Sequence, residues 1–192
     1  MAVAALAVAL AACGGSTSSS TTSTAAPTTS GPTTTTGGST SSSTTTASGT
    51  PACRTASLTV SIGSPNGSAG ASHYGLTFQN TGTAACTLYG YPGVSFLNSA
   101  GSQIGDPAQR QGASATTVTV APGGNAYASI AVTDPGIPPC SGSTAAAQVR
   151  VYPPGETHAA QVPAPTGLLV CSSPNTTAYL SSTVSAVSST AS

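Results

Sequence analysis

From residue 53 onward the sequence predicts an all-β fold, an antiparallel immunoglobulin-like β-sandwich of about seven to nine strands. Three observations predict it. Several runs alternate apolar and polar residues with a period of two, turn residues separate those runs, and no segment has the 3.6-residue period of a capped helix. A small closed barrel is the alternative architecture.

The predicted strands follow one another at short intervals along the chain. The first contains Leu58, Val60 and Ile62 in alternation with hydroxyl residues, and the second contains Tyr74, Leu76 and Phe78. Further runs lie at 118–120, 128–132, 147–151 and 168–170. Gly, Pro and Asn clusters predict turns at 65–67, 80–82, 122–124 and 153–155.

The chain has five cysteines, and four of them fall within the predicted sandwich: Cys53, Cys86, Cys140 and Cys171. Four cysteines allow three pairings, and their wide spacing excludes a CxxC zinc site. Export to an oxidising compartment favours disulfides. We predict the pairs Cys53–Cys86 and Cys140–Cys171, because each joins the start of one strand region to the next and closes a loop of about 30 residues.

The first thirteen residues, MAVAALAVALAAC, form an apolar run that is too short to span a bilayer. The end of this run, Leu10 to Cys13, resembles the lipobox of bacterial lipoproteins, in which the cysteine receives a diacylglycerol and cleavage occurs just before it. By that resemblance residues 1–12 are a signal peptide and Cys13 carries the lipid. The protein would then be extracytoplasmic and anchored to the outer face of the cell membrane.

Two further features of the chain bear on the predicted anchor. Nothing charged precedes Arg54, so we expect the positively charged start of the export signal to lie upstream of Met1. A GPI-anchored surface protein is the alternative, but the C-terminal residues lack the hydrophobic tail that a GPI signal needs.

Residues 13–52 follow as the predicted lipidated cysteine and a Ser/Thr-rich linker. After Cys13 this segment has no aliphatic side chain larger than alanine, so it cannot bury enough apolar surface to order itself. A disordered stalk of this length spans roughly 35 Å. Its composition fits a bare spacer and an O-glycosylated stalk equally well. The sandwich domain would occupy residues 53–188.

Charge is scarce: the chain has three arginines, no lysine and three carboxylates, which gives zero formal net charge. Nucleic-acid binding needs several cations to neutralise phosphates, so it is excluded as a function. A polybasic lipid-binding segment is excluded for the same reason. The expected partners are the membrane, through the lipid on Cys13, and an envelope polysaccharide or protein; no cofactor or metal site is predicted.

A particular order of motifs resembles one protein family. Cys53 is followed by LTFQNTGTAACTLYGYPGVSFLNSAG, then by a Val-rich strand ending in APGGNAYA, then by Cys140 and Cys171. This order resembles the actinobacterial secreted and lipoprotein domains named domain of unknown function 4232, over residues 53 to about 185. The resemblance implies a β-sandwich in the cell envelope and implies no particular activity.

The stretch CTLYGYPGVSF at residues 86–96 is the first candidate site. Pro92 followed by Gly93 predicts a type II turn, with Gly93 at positive φ. Tyr89 and Tyr91 would then pack at a corner with their hydroxyls bonded to partners. The alternative is a binding lip made of Tyr89, Tyr91 and Pro92, on which sugar rings or a peptide would stack.

Catalytic candidates are few, and we predict a protein that is not an enzyme. The chain has two histidines, His73 and His158, and no GxSxG motif. We interpret Glu156 and His158 as a solvated loop pair. The alternative function is an envelope polymer-modifying hydrolase or transferase with His73 or His158 as the base.

The remaining charged pair of interest lies in the loop IGDPAQRQG. Asp106 and Arg110 flank Pro107 there, and we predict a local ion pair or an Asx-type turn.

Overall fold

The computed structural model describes residues 49–68, 70–140, 142–172, 175 and 180–191. The predicted signal peptide, the predicted lipidation site Cys13 and the predicted stalk as far as residue 48 lie outside the described residues. Gly49 to Ala52 are described, and Ala52 forms a β-bridge with Thr87 although the sequence assigns it to the linker.

The described residues form a 3₁₀ turn, Thr55–Ser57, and thirteen strands. In chain order the strands are β1 (Leu58–Ser68), β2 (Ala71–Asn80), β3 (Cys86–Tyr89), β4 (Gly93–Leu97), β5 (Gln103–Ile104), β6 (Gln109–Arg110), β7 (Thr117–Val120), β8 (Asn125–Thr133), β9 (Ser143–Ala145), β10 (Gln148–Tyr152), β11 (Ala160–Pro163), β12 (Leu169–Cys171) and β13 (Ser182–Val184).

Two larger sheets and two strand pairs make up the fold. The five-stranded sheet has the order β1-β2-β8-β13-β6, and the four-stranded sheet has the order β11-β10-β4-β5. Strand β3 pairs with β7, and β9 pairs with β12. The predicted all-β sandwich is confirmed.

One hydrophobic core joins these sheets. Alternate residues of β2 are buried, so that Leu76 and Phe78 point inward while Gly75 and Gln79 are exposed. Phe96 of β4 belongs to the same core, together with the alternating residues of β8 and β10. Since both larger sheets contribute fully buried side chains to one cluster, they face each other as the layers of a sandwich.

The predicted turn at 65–67 is wrong. Those residues continue β1, where Pro65 lies opposite Tyr74 and the ladder runs on to Ser68 opposite Ala71. The register shifts between Ile62 and Pro65, which marks a β-bulge. β1 is an edge strand and pairs within its sheet only with β2. A proline beside a bulge in such a strand removes no hydrogen bond to another strand on its open side, so β1 continues through Pro65.

The strand count exceeds the seven to nine expected because several strands are only two or three residues long. Gln109 and Arg110 of β6 are both exposed, so this strand has no apolar alternation that a sequence could display. It also pairs in parallel with β13, with Thr183 opposite Gln109, so the five-stranded sheet is mixed and not purely antiparallel.

Both predicted disulfides are present in the structure. Cys53 is joined to Cys86 with Cα atoms 4.8 Å apart, and Cys140 is joined to Cys171 with Cα atoms 5.7 Å apart. Cys53 and Cys86 are both buried. The first disulfide therefore fastens the start of the fold to the first residue of β3.

Asn80, at the end of β2, organises the turn that the sequence predicts at 80–82. Its side chain is buried, and its Nδ2 donates to the carbonyl oxygens of Ala84 at 2.9 Å and Val120 at 3.0 Å. Its Oδ1 accepts the N–H of Gly82 at 2.9 Å. One carboxamide thus connects β2, the loop that leads to Cys86, and β7.

We expect Asn80→Ala to lower the free energy of unfolding by about 3 kcal/mol, because it leaves the buried carbonyl of Val120 and the partly buried groups of Ala84 and Gly82 without this hydrogen-bond partner. Urea denaturation under oxidising conditions measures this. Asn98→Ala is the matched control, since the Asn98 Oδ1 also accepts two backbone N–H groups but in an exposed turn. Equal losses for the two variants would contradict the role of Asn80.

We expect the double variant Cys53→Ala/Cys86→Ala to lose about 3–4 kcal/mol of stability through the larger entropy of its unfolded chain. Peptide mapping without reduction tests the pairing itself. Cys140→Ala/Cys171→Ala is the comparison, because it opens a loop of similar length. A crossed linkage or free thiols in the parent protein would overturn the pairing.

Candidate functional site

An open depression of about 490 Å³ lies where the chain enters the fold. It is lined by Arg54, Thr55, Ala56, Glu156 and His158, and we call it the entry depression. Two segments distant in sequence build it: the 3₁₀ turn at Thr55–Ser57 and the loop between β10 and β11.

Local backbone bonding shapes both segments. Arg54 is extended, and its carbonyl oxygen accepts the N–H of Ser57 at 2.9 Å, which closes the 3₁₀ turn. In the other segment the N–H of Glu156 donates to Pro153 at 3.0 Å around a turn in which Gly155 has a φ of 80°. That left-handed position suits glycine, as the predicted turn at 153–155 requires.

Glu156 holds the two segments together. Its Oε2 accepts the backbone N–H of Thr55 at 2.9 Å and lies 3.1 Å from the Thr55 hydroxyl. The single hydroxyl proton of Thr55 is shared with the carbonyl oxygen of His158 at 2.8 Å. The Arg54 Nη1 lies farther away, 3.8 Å from Oε1.

The electrostatics of the depression keep Glu156 ionised at neutral pH. The hydrogen bond from the Thr55 backbone N–H lowers the pKa of Glu156 below its ordinary value. Burial opposes this effect, while the Thr55 hydroxyl, Arg54 and His158 each lower the pKa further. An ionised carboxylate that already accepts these bonds acts as a structural anion at this position.

The prediction that Glu156 and His158 form a solvated loop pair is wrong for Glu156. Its side chain is only 11% exposed, whereas His158 is exposed. The partner that covers Glu156 is Thr55, which lies 101 residues earlier in the chain. No local sequence pattern records a contact over that separation, so sequence reasoning missed Thr55 and Arg54 as site residues.

The three residues of the predicted binding lip differ in their exposure to solvent. Tyr89 ends β3 and is 64% exposed, while Pro92 is buried. Tyr91 is half-buried, and its hydroxyl donates to the carbonyl oxygen of Ala113 at 2.8 Å. Of the three, Tyr89 presents the largest ring surface to solvent.

The predicted type II turn with Gly93 at positive φ is wrong. Gly93 begins β4 opposite Tyr152, and the positive φ belongs to Gly90, at 112°. A Cβ at Gly93 would lie 3.4 Å from the Cβ of Tyr152, so this glycine leaves room for the tyrosine side chain. Both glycines flank the same Tyr-Pro pair, and the turn chemistry alone does not tell which of them bends the chain.

Tyr89 is not among the residues that line the entry depression, but its neighbours in the chain approach both segments that build it. The residue two positions earlier, Thr87, donates its N–H to Pro51 at 2.8 Å and accepts the N–H of Cys53 at 2.9 Å. The residue after it, Gly90, approaches the turn that leads to Glu156, since a Cβ at Gly90 would lie 3.9 Å from Pro154. The backbone of Tyr89 therefore runs between the two segments that build the depression.

His73 lies elsewhere, near the start of β2. The neighbouring Ser72 hydroxyl donates to the Asp134 carboxylate at 2.9 Å, and burial raises the pKa of Tyr74 against the opposing effect of its hydrogen bond with Ser72. Because successive residues of a strand point to opposite faces, His73 faces away from Ser72 and Tyr74. The strand thus does not align a histidine with this serine and carboxylate.

Although both residues are described, the predicted ion pair of Asp106 with Arg110 is not observed. The predicted Asx-type turn is not observed either, because the N–H of Ala108 that it would use donates to Val94 at 2.9 Å. The Asp106 Oδ2 instead accepts the backbone N–H of Asn175 at 2.7 Å. This contact joins the loop before β6 to the segment before β13. It is again a long-range bond that the local motif did not reveal.

The described part of the chain contains neither a group of metal-ligating side chains nor a membrane-spanning helix. No three His, Cys, Asp or Glu side chains there are grouped as metal ligands would be. Within the same residues, no helix has the length and apolar character needed to cross a membrane.

Comparison with known proteins identifies one family. A family model described as a domain of unknown function (DUF4232) matches residues 53–185, which include all four cysteines of the sandwich and every residue that lines the entry depression. No curated protein and no solved structure matches the chain.

We expect Glu156→Gln to lower stability at pH 7 by about 1 kcal/mol, because a neutral amide accepts the Thr55 hydrogen bonds less strongly than a carboxylate. In the parent, the contribution of Glu156 is present above the pKa of an unfolded glutamate and is lost as pH falls towards the lower pKa of the folded state.

Urea denaturation between pH 7 and pH 3 measures this difference. The stability gap between parent and variant should close at the acidic end. Asp134→Asn is the control. If the stability difference between the parent and Glu156→Gln stayed constant with pH, the assigned role of Glu156 would be contradicted.

Proposed function

The chain belongs to the DUF4232 family, and from that premise we propose that it is a lipid-anchored cell-envelope protein whose β-sandwich binds a partner and does not catalyse a reaction. The partner would be an envelope polysaccharide or an envelope protein. The exposed ring of Tyr89, on the strand next to the segment that leads into the entry depression, is the observation that carries the binding role.

Two observations of different kinds support the proposed location outside the cell membrane. The disulfides Cys53–Cys86 and Cys140–Cys171 are typical of a secreted or extracellular domain, because thiols stay reduced in the cytosol. The lipobox-like ending at Cys13 supports attachment to the membrane by acyl chains. Together they favour a folded domain held outside the cell by its N-terminus.

The chemistry of the entry depression favours binding over catalysis. A general base must be free to accept a proton from its substrate, whereas the Glu156 carboxylate accepts the hydrogen bonds of Thr55 and has a lowered pKa. His158 is exposed at the same depression and supports the alternative, a polymer-modifying hydrolase or transferase with His158 as base.

Membrane attachment is tested by Cys13→Ala in a chain expressed with a complete export signal. The parent should partition into the detergent phase and the variant into the aqueous phase, because the variant lacks the acylated thiol. Ser16→Ala, three residues further along, should behave as the parent. A variant that still enters the detergent phase would exclude Cys13 as the anchor.

The soluble Cys13→Ala chain also tests binding against catalysis. We expect it to cosediment with insoluble cell-wall polysaccharide and to release no sugar from it, with Tyr89→Ala reducing the retained fraction. Release of sugar that disappears in His158→Ala would instead establish the hydrolase. Absence of both retention and release would overturn the proposed binding role for polysaccharide.

A further inference from the structure

We propose that the entry depression is a site for an anionic sugar, with the guanidinium of Arg54 bound to the carboxylate or phosphate of the ligand and the sugar ring stacked on Tyr89. This inference rests on the proposed binding function and adds the chemical class of the ligand.

The guanidinium of Arg54 forms an ion pair with Glu156 but remains largely exposed to a ligand. Its side chain is 80% exposed, and the nearest carboxylate oxygen, on Glu156, lies 3.8 Å away, too far for a hydrogen bond. Glu156 in turn accepts the backbone N–H of Thr55 and shares the Thr55 hydroxyl proton with the carbonyl oxygen of His158, so it is bonded without Arg54. The planar fork of guanidinium N–H groups fits a carboxylate or a phosphate in a bidentate manner.

The backbone beneath that guanidinium is fixed. Cys53, the preceding residue, is buried and disulfide-bonded, and the Arg54 carbonyl oxygen is held by the N–H of Ser57. Thr55, the following residue, is held by Glu156. A side chain that projects from so constrained a backbone loses less freedom on binding than one on a mobile loop.

Tyr89 supplies a flat surface on the strand next to the segment that carries this cation. It is 64% exposed, and its backbone lies between the segment that carries Arg54 and the turn before Glu156. An aromatic ring offers an apolar face to the C–H groups of a sugar and a hydroxyl to its oxygens. Exposed His158 adds a further hydrogen-bonding group to the same depression.

The volume of the entry depression and the low charge of the chain fit a small ligand that is bound by individual side chains. About 490 Å³ lies within the range of small-molecule sites and accommodates one or two sugar units. The chain has zero formal net charge and three arginines in all, so a general attraction to polyanions is not expected. Binding of an anionic sugar would therefore depend on Arg54 itself.

The experiment uses the full soluble chain carrying Cys13→Ala and three probes: a galacturonic acid trimer, glucose 6-phosphate and neutral dextran. NMR titration measures the dissociation constants. We expect binding of the carboxylated or the phosphorylated probe, and the probe that binds identifies which anion the site takes. Dextran should bind at least tenfold more weakly.

Variants locate the site. Arg54→Ala should weaken binding of the anionic probe at least tenfold, and Arg54→Lys should restore part of the loss because it keeps the charge but not the planar fork. Tyr89→Ala should weaken binding of every sugar probe. Arg110→Ala is the matched control, an exposed arginine on β6 that does not line the entry depression, and should bind as the parent does.

The outcomes separate this inference from the proposed function. Retention on cell-wall polysaccharide without binding of either anionic probe would overturn the anionic site and leave the binding role intact. Equal affinity for dextran and the anionic probes, or equal losses in Arg54→Ala and Arg110→Ala, would likewise overturn it. If the Cys13→Ala chain is retained on no polymer and binds no probe, both the proposed function and this inference are overturned.

Discussion

The Asn80 carboxamide is the interaction on which the placement of the site depends. It binds the carbonyl oxygens of Ala84 and Val120 and the N–H of Gly82, while the Asn80 backbone bonds with the turn before β8. These bonds fix the course of residues 81–85, which carry the chain from the five-stranded sheet to Cys86. The position of β3, and so of Tyr89, follows from one buried side chain.

Cys86 and the residue after it in turn fix the position of the start of the fold. The disulfide and the backbone bonds of Thr87 hold residues 51–53 against β3, and this fixes the origin of Arg54 and of the 3₁₀ turn. Glu156 then fixes the next residue, Thr55, by accepting its backbone N–H. Three kinds of bond thus position the two segments of the entry depression: a carboxamide network, a disulfide and a charged hydrogen bond.

The sequence predicts the parts of this fold that lie half-buried over several residues. β2 and β8 bury every second side chain, so their alternation is visible in the residues themselves. Two-residue strands such as β6 carry no such signal, and their pairing is decided by tertiary contacts. The cysteine pairing was predictable because each bond closes a loop between neighbouring strand regions.

The site itself was less accessible to prediction. Tyr89 stood out as an aromatic residue in a chain with few of them, but its exposure depends on which of two nearby glycines bends the backbone. Arg54 and Thr55 carried no motif, and the carboxylate that holds Thr55 comes from a loop 101 residues away. Polar contacts over such distances depend on the completed fold, so no local pattern encodes them.

The Cys53–Cys86 disulfide has a mechanical consequence. A pull on the N-terminal side of Pro51, resisted by any residue after β3, first loads the two hydrogen bonds that join residues 51–53 to Thr87. The tension then crosses the sulfur–sulfur bond into β3, so residues 54–85 form a covalently closed loop outside the path of the force. Strands β1 and β2, and Arg54 with them, would remain unstretched under a load that reaches Tyr89 directly.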